Sequence, residues 1–263
     1  MGDSYTSGEG APSFLPGTDQ SKPKPDRCHR SYNSWGWQAA LLITRGIGKN
    51  ILFSACSTGT ALSFRQPSGT FGEGAQTTQL QRFGHRADAV LVTMGGNDAD
   101  FAFTIARCAL LPDICPQDTA WVNNRFDLID QAQHQITVSL EALVRSKNAP
   151  SPRHIYILGY PNPFIPVGDC SSLALLSPAE QAWIGVVWLG QLNAAVQAAA
   201  HAAGVTFVPD YSAFSGHGIC AKNPYARGFV FPDVQQSFHP TKAGYTALAQ
   251  IAEKRLRADK VIP

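Results

Sequence analysis

Three features of the sequence predict an α/β fold, a mainly parallel sheet covered by helices on both faces. Short apolar runs at residues 51–55, 89–94, 155–160 and 205–208 have the length of buried strands. Between them lie longer segments whose apolar residues recur at helical spacing. Small-residue loops follow several of these runs, and in parallel sheets the functional crevice lies beyond the carboxyl ends of the strands.

The first ten residues, Gly2-Asp3-Ser4-Tyr5-Thr6-Ser7-Gly8-Glu9-Gly10 after Met1, form a turn-rich stretch in which Ser4 is the first candidate nucleophile. Residues 11–32, rich in Pro, Ser, Gly and charge, read as a long loop. Asn33 or Ser34 caps a helix through about Ile43, closed by Gly46 and Gly48. The run at 51–55 reads as a strand and leads into Cys56-Ser57-Thr58-Gly59. A short helix is expected near 77–83, and the strand at 89–94 runs into Gly95-Gly96-Asn97-Asp98. The segment around Cys108 and Cys115 reads as a loop. Phe126, Ile129, Ile136, Leu140 and Leu143 then mark a helix over about 121–145. Ser177, Pro178 and Glu180 open another, running to about Ala203 before the strand at 205–208. Pro240 opens a last helix over 241–256. With no repeat or linker, residues 1–263 are expected to form one domain.

Charged residues are 15% of the chain and apolar ones 44%, a folded rather than a disordered composition. A formal net charge of +2, without a dense basic stripe, gives no electrostatic case for nucleic acid. No apolar run reaches the length of a membrane span. The six cysteines, Cys28, Cys56, Cys108, Cys115, Cys170 and Cys220, show no metal-site spacing and read as disulfides of an exported protein. Six buried thiols in a reducing compartment are the alternative. Connectivity is open, although Cys108 and Cys115 are close enough to staple one short loop.

Ser4, Asn97 and His239 answer the separate demands of acyl transfer. A serine hydroxyl needs a base to take its proton, and histidine titrates near neutrality. The tetrahedral oxyanion needs preorganised donors, which the Asn97 amide and the backbone N–H groups of Ser4 and Gly59 supply. This chemistry requires no metal and no cofactor. His217 reads as structural beside Cys220. His29, His85, His134, His154 and His201 have no evident partner and read as surface or satisfied core positions. Phe101, Phe103, Phe164, Phe229, Phe231 and Phe238 read mostly as core, those near Asn97 and His239 being candidates to line an acyl pocket.

The opening block, Gly95-Gly96-Asn97-Asp98 and Ser237-Phe238-His239-Pro240 resemble the first, third and fifth blocks of the SGNH or GDSL hydrolases. Cys28-His29-Arg30-Ser31, Ala55-Cys56-Ser57, Gly159-Tyr160-Pro161 and residues 214–220 resemble the secreted actinobacterial lipase/esterase branch, in order along nearly the whole chain. The resemblance implies a three-layer α/β/α sandwich with a flavodoxin-like sheet. It implies Ser4 as nucleophile, Asn97 as oxyanion donor and His239 as base. It also implies the pairs Cys28–Cys56, Cys108–Cys115 and Cys170–Cys220.

Two positions depart from the family pattern. Gln236 stands where the family usually has an Asp three residues before the histidine. A Ser4–His239 dyad is therefore expected, oriented by a backbone carbonyl near Gln236 or Ser237, with Asp233 folding back as the alternative. In the second block, Thr58 or Gly59 takes the place of the family glycine. The resemblance also implies a strand ahead of Gly2, between those at 51–55 and 89–94. Losing about five buried residues at roughly 2 kcal/mol each would forfeit about 10 kcal/mol. Met1 is accordingly expected to be internal to a longer chain, with an apolar strand and a signal peptide upstream.

The function expected is a secreted, monomeric serine carboxylic ester hydrolase acting on lipid or other acyl esters through an acyl-enzyme. The alternatives are an acetylesterase or deacetylase of decorated polysaccharide, or a catalytically impaired relative that binds glycan or lipid.

Overall fold

The computed structural model describes residues 1–20, 26–68, 73–83, 86–111, 115–145, 152–168, 170 and 175–263. In chain order the elements are α1 (Ser4–Ser7), α2 (Trp35–Ile43), α3 (Gln76–Arg82), β1 (Ala89–Val92), α4 (Phe101–Leu110), α5 (Thr119–Val144) and β2 (His154–Leu158). They continue with α6 (Pro178–Ala182), a π-helical stretch (Trp183–Trp188), α7 (Leu189–Ala202), β3 (Thr206–Val208) and α8 (Lys242–Ala258).

Local chemistry sets the helix starts. Ser34 caps α2 by accepting from the Trp37 N–H at 3.1 Å, and Asp118 caps α5 through the Trp121 N–H at 3.1 Å. Ser177 and Glu180 form a reciprocal capping box at α6, and Thr241 caps α8. Along α5, Trp121, Arg125, Ile129, Ala132, Ile136, Leu140 and Leu143 recur every three or four residues as its buried stripe.

The three strands pair in the order β1-β2-β3, all parallel, with Val90 opposite Ile155 and Ile157 opposite Phe207. Helix α2 packs with α8 and touches β1, while α5 packs with α7, and both α7 and α8 touch β3. The result is a three-layer α/β/α sandwich whose core includes Trp35, Trp188, Tyr156, Tyr245 and Phe214.

Two sequence expectations need correction. Residues 101–110 are a helix, with Thr104, Ile105 and Cys108 on its buried side. Residues 51–55 form no strand. Residues 1–3 lie between them and the end of β1: Gly2 bridges Thr93 in parallel, and the Cys56 N–H donates to the Gly2 carbonyl at 3.0 Å. Below that point a groove of about 1000 Å³, lined by Trp37, Leu52, Phe53, Leu80 and Val90, separates the two segments. Main chain held outside ladder distance makes no sheet hydrogen bonds. The helix that begins at α6 is continuous to Ala202, through the π-helical stretch.

Candidate active site

Ser4 opens α1 directly beyond the short pairing of residues 1–3 with β1. Gly2 adopts φ +131°, and a Cβ there would collide with the Thr93 carbonyl and Thr6 Oγ1, so the close approach requires glycine. Gln76 clasps the same residue, accepting from the Gly2 N–H at 2.7 Å and donating to its carbonyl at 2.9 Å. Asp3 caps α1, its Oδ1 accepting from the Tyr5 N–H (3.0 Å) and Thr93 Oγ1 (2.7 Å). Its Oδ2 accepts from the Tyr160 hydroxyl, which in turn accepts from the Gly96 N–H at 2.8 Å. One buried carboxylate thus joins the nucleophile turn to the loop that carries Asn97. Burial pushes the Asp3 carboxyl up to about 6, against the opposing pull of the Tyr160 and Thr93 hydroxyls.

The loop before α8 brings His239 to this turn. Its Nε2 lies 2.8 Å from Ser4 Oγ, and its Nδ1 lies 3.0 Å from the Ser237 carbonyl. With Nδ1–H donating to that carbonyl, Nε2 is free to accept the serine proton. The Gln236 side chain turns away, donating to Asp233 Oδ2 at 2.6 Å, while its main-chain carbonyl accepts from the His239 N–H at 3.3 Å. Of the two candidate orienting residues, Ser237 makes the ring contact. Tyr5 donates to the Phe238 carbonyl at 2.9 Å, and its ring lies 5.2 Å from that of His239. Burial lowers the His239 pKa below the ordinary histidine value, opposed by Glu9 and by the Ser237 and Gln235 carbonyls. A neutral imidazole at neutral pH is the form a base needs.

Asn97 Nδ2 donates to the Gly59 carbonyl at 2.8 Å, which aims the amide. The Gly59 N–H donates to Cys56 O at 2.8 Å within its own turn, and its carbonyl is the group that meets Asn97. Thr58 is exposed and left-handed, with φ 73°. Ser4, Asn97 and His239 open onto one cavity of about 60 Å³, walled by Tyr160, Phe101, Pro161, Pro163, Leu189 and Leu192. Of the other phenylalanines, Phe164 and Phe238 are buried against each other, while Phe103, Phe229 and Phe231 are exposed.

All six cysteines are paired, Cys28–Cys56, Cys108–Cys115 and Cys170–Cys220, as the resemblance implies. His217 stacks on Tyr225, with ring centroids 3.9 Å apart. His29, which has no evident partner in the sequence, is held between Glu9 and Asp19. Sequence reasoning also missed Asp3, Tyr160 and Glu9 as functional candidates. Their signal was their place inside blocks already singled out, beside Ser4 and before Pro161.

The model of the GDSL-like lipase/acylhydrolase family matches residues 1–247. The chain belongs to this family. Among its relatives, a lipase of Streptomyces rimosus is 28% identical over 245 residues, covering 93% of this chain and 80% of the relative. Lipase 1 of Streptomyces coelicolor is 28% identical over 249 residues, with the same coverage. The crystal structure of the extracellular Streptomyces rimosus lipase superposes with a TM-score of 0.70 at 26% identity, covering 96% of each chain. That of a phospholipase A1 from Streptomyces albidoflavus gives 0.69 at 22% identity, covering 97% of this chain and 96% of the other, and shows the shared fold. As a GDSL-like acylhydrolase, the protein is a carboxylic ester hydrolase of the lipase and esterase type. Among the described residues, no helix is long and apolar enough to cross a membrane.

Proposed function

We propose that this acylhydrolase cleaves acyl esters through a covalent acyl-enzyme on Ser4, with His239 as general base and then general acid. The observation that carries the reading is the 2.8 Å contact between Ser4 Oγ and His239 Nε2. As Ser4 Oγ bonds to the ester carbonyl carbon, its proton passes to Nε2 and the carbonyl oxygen becomes an oxyanion. The Ser4 N–H, at the first position of α1, and the Asn97 amide serve as its donors. Gly59 contributes by holding Asn97. Collapse of the intermediate expels the alcohol, which takes the proton from His239. Water, deprotonated by the same imidazole, then releases the acid and restores Ser4. The Ser237 carbonyl orients the ring throughout, in place of a carboxylate.

The wall of Phe101, Leu189, Leu192 and two prolines favours an apolar acyl group over a charged one. A cavity of about 60 Å³ favours a short chain in this conformation, which supports an acetylesterase as the second reading. Three disulfides and the extracellular lipase relative support export from the cell, with residues 1–263 acting as one monomeric domain. Hydrolysis of p-nitrophenyl esters of graded chain length by the parent and Ser4→Ala proteins is the test. Turnover that depends on Ser4 is expected. Preference for acetate selects the second reading, and activity unchanged in Ser4→Ala overturns both.

A further inference from the structure

The proposed base has no acidic partner on its own loop, because Nδ1 meets a carbonyl and Gln236 faces Asp233. Behind it lies a buried carboxylate that the mechanism above leaves unused. Glu9 is 0% exposed. Its Oε2 accepts from Ser57 Oγ at 2.6 Å and meets His29 Nδ1 at 2.6 Å, whereas Oε1 is buried with no hydrogen-bond partner among the described residues. The next residue, Gly10, is pressed against the base: a Cβ there would lie 2.7 Å from the His239 Cβ. The Tyr245 hydroxyl donates to the Glu9 carbonyl at 2.7 Å and reaches the Ser4 carbonyl at 3.3 Å. On the other side Ser57 Oγ lies 3.2 Å from Ser7 Oγ, which donates to the Ser4 carbonyl at 3.2 Å. The carboxylate's own residue therefore neighbours the one pressed on the base, and two hydroxyls link the carboxylate to the Ser4 carbonyl, in an interior that screens charge poorly.

We propose that Glu9 is a positioning residue for the base: its buried charge stabilises the His239 imidazolium formed during acyl transfer, and His29 sets how much of that charge His239 feels. The proposal rests on the Ser4–His239 reading above. It assigns to a residue in the opening block the electrostatic role that Gln236, being neutral, does not fill.

The other groups around His239 define the balance. On its own loop, Arg227 donates from its backbone N–H to the His239 carbonyl and from Nε to the Gly10 carbonyl, while Asp233 is turned to Gln236 and Arg27. From α1 come Asp3, tied to Tyr160 and Thr93, and Tyr5; from α8 comes Tyr245. Burial keeps Tyr5, Tyr160 and Tyr245 neutral. From the segment before α2 comes His29, whose Nε2 lies 3.1 Å from the exposed Asp19. Burial works against a charge on His29, but Glu9 and Asp19 raise its pKa above the ordinary value. Burial likewise works against the Glu9 carboxylate, yet the His29 bond holds its pKa below the usual carboxylate range. Glu9 and His29 thus act on His239 with opposite signs, the anion favouring imidazolium and the cation opposing it.

This opposition makes the test selective. The His239 ring signals are titrated by NMR in the parent, Glu9→Gln, His29→Gln and Asp19→Asn proteins, alongside pH profiles of kcat/KM on a p-nitrophenyl ester. Glu9→Gln is expected to lower the His239 midpoint by at least about half a pH unit, moving the acid limb with it. Its plateau kcat is expected to fall roughly tenfold with KM unchanged. His29→Gln is expected to raise the midpoint, and Asp19→Asn, at the exposed end, to raise it less. A midpoint within about 0.2 pH unit of the parent in Glu9→Gln overturns the proposal. So does a shift of the same sign in Glu9→Gln and His29→Gln, the result of mere loosening. If the two buried variants do not fold, an Asp19→Asn midpoint equal to the parent's overturns it. The NMR titration does not depend on turnover, so it stays decisive even if Ser4→Ala retains activity and the catalytic reading fails.

Discussion

The Ser4 turn and the His239 loop meet at a single 2.8 Å contact but are held by different means. Side chains from distant segments hold the turn: Gln76 clasps Gly2, Thr93 and Tyr160 bind Asp3, and Thr6 Oγ1 meets Thr93 Oγ1 at 2.7 Å. Main chain holds most of the loop. The Arg227 N–H donates to the His239 carbonyl, the His239 N–H to Gln236 O, and the Ser237 carbonyl orients the ring. A geometry built from side chains depends on residue identity, whereas one built from backbone tolerates substitution. That is why glutamine stands at 236 without disturbing the ring.

Removing the groups that meet is expected to have the largest effect. Ser4→Ala and His239→Ala should each lower kcat on a p-nitrophenyl ester by about 10⁴-fold or more, with circular dichroism unchanged. A drop of under tenfold would place the nucleophile or base elsewhere. Asn97→Ala, which removes an oxyanion donor, should cost about 10²–10³ in kcat.

Next is a stability effect specific to the turn. Burial pushes the Asp3 carboxyl up to about 6 in the folded chain, from an ordinary value of 3.8. Between those values the folded state binds more protons, so stability falls as pH rises from about 4 to 6, by roughly 3 kcal/mol in all. Asp3→Asn should flatten that slope in urea titrations run across this range. An unchanged slope would assign it to other groups.

Tyr160→Phe leaves both Asp3 Oδ2 and the Gly96 N–H without their hydroxyl partner. A fall of about tenfold in kcat, with KM held, is the expected result in steady-state kinetics, since the loss loosens the Asn97 loop rather than substrate binding. A KM effect instead would make Tyr160 a binding residue. Smallest is Gln236→Asp, expected to change kcat/KM by less than about threefold, because that side chain faces Asp233 and the Ser237 carbonyl already occupies Nδ1. A large gain would show that the loop rearranges to admit a carboxylate.

Much of the fold was legible in the sequence because its signals are local. Ser34, Ser177 with Glu180, and Thr241 each announce a helix within four residues, and the buried stripe of α5 repeats every turn. The apolar runs at 89–94, 155–160 and 205–208 nearly coincide with β1, β2 and β3. Helix α4 is less legible, because Gly95-Gly96-Asn97 before it and the close pair Cys108 and Cys115 at its end are loop signals, although Thr104, Ile105 and Cys108 have helical spacing. The run at 51–55 looks like a strand in composition, but a strand is a relation between two segments, and among the described residues none pairs with this run as a ladder.

The site divides along the same line. Ser4, Asn97 and His239 stand out because each lies in a short block of distinctive letters, and residue type alone names a nucleophile, a donor and a base. The ties that aim them are long-range. Tyr160 reaches Asp3 across 157 positions, Tyr245 reaches Glu9 across 236, and Gln76 reaches Gly2 across 74. No periodicity records such pairs, because they form only when strands and helices pack and bring remote hydroxyls and carboxylates into a dry interior. The sequence names the chemical groups; packing decides which carboxylate is buried behind the base, and it turned Gln236 away while pressing Gly10, next to Glu9, against His239.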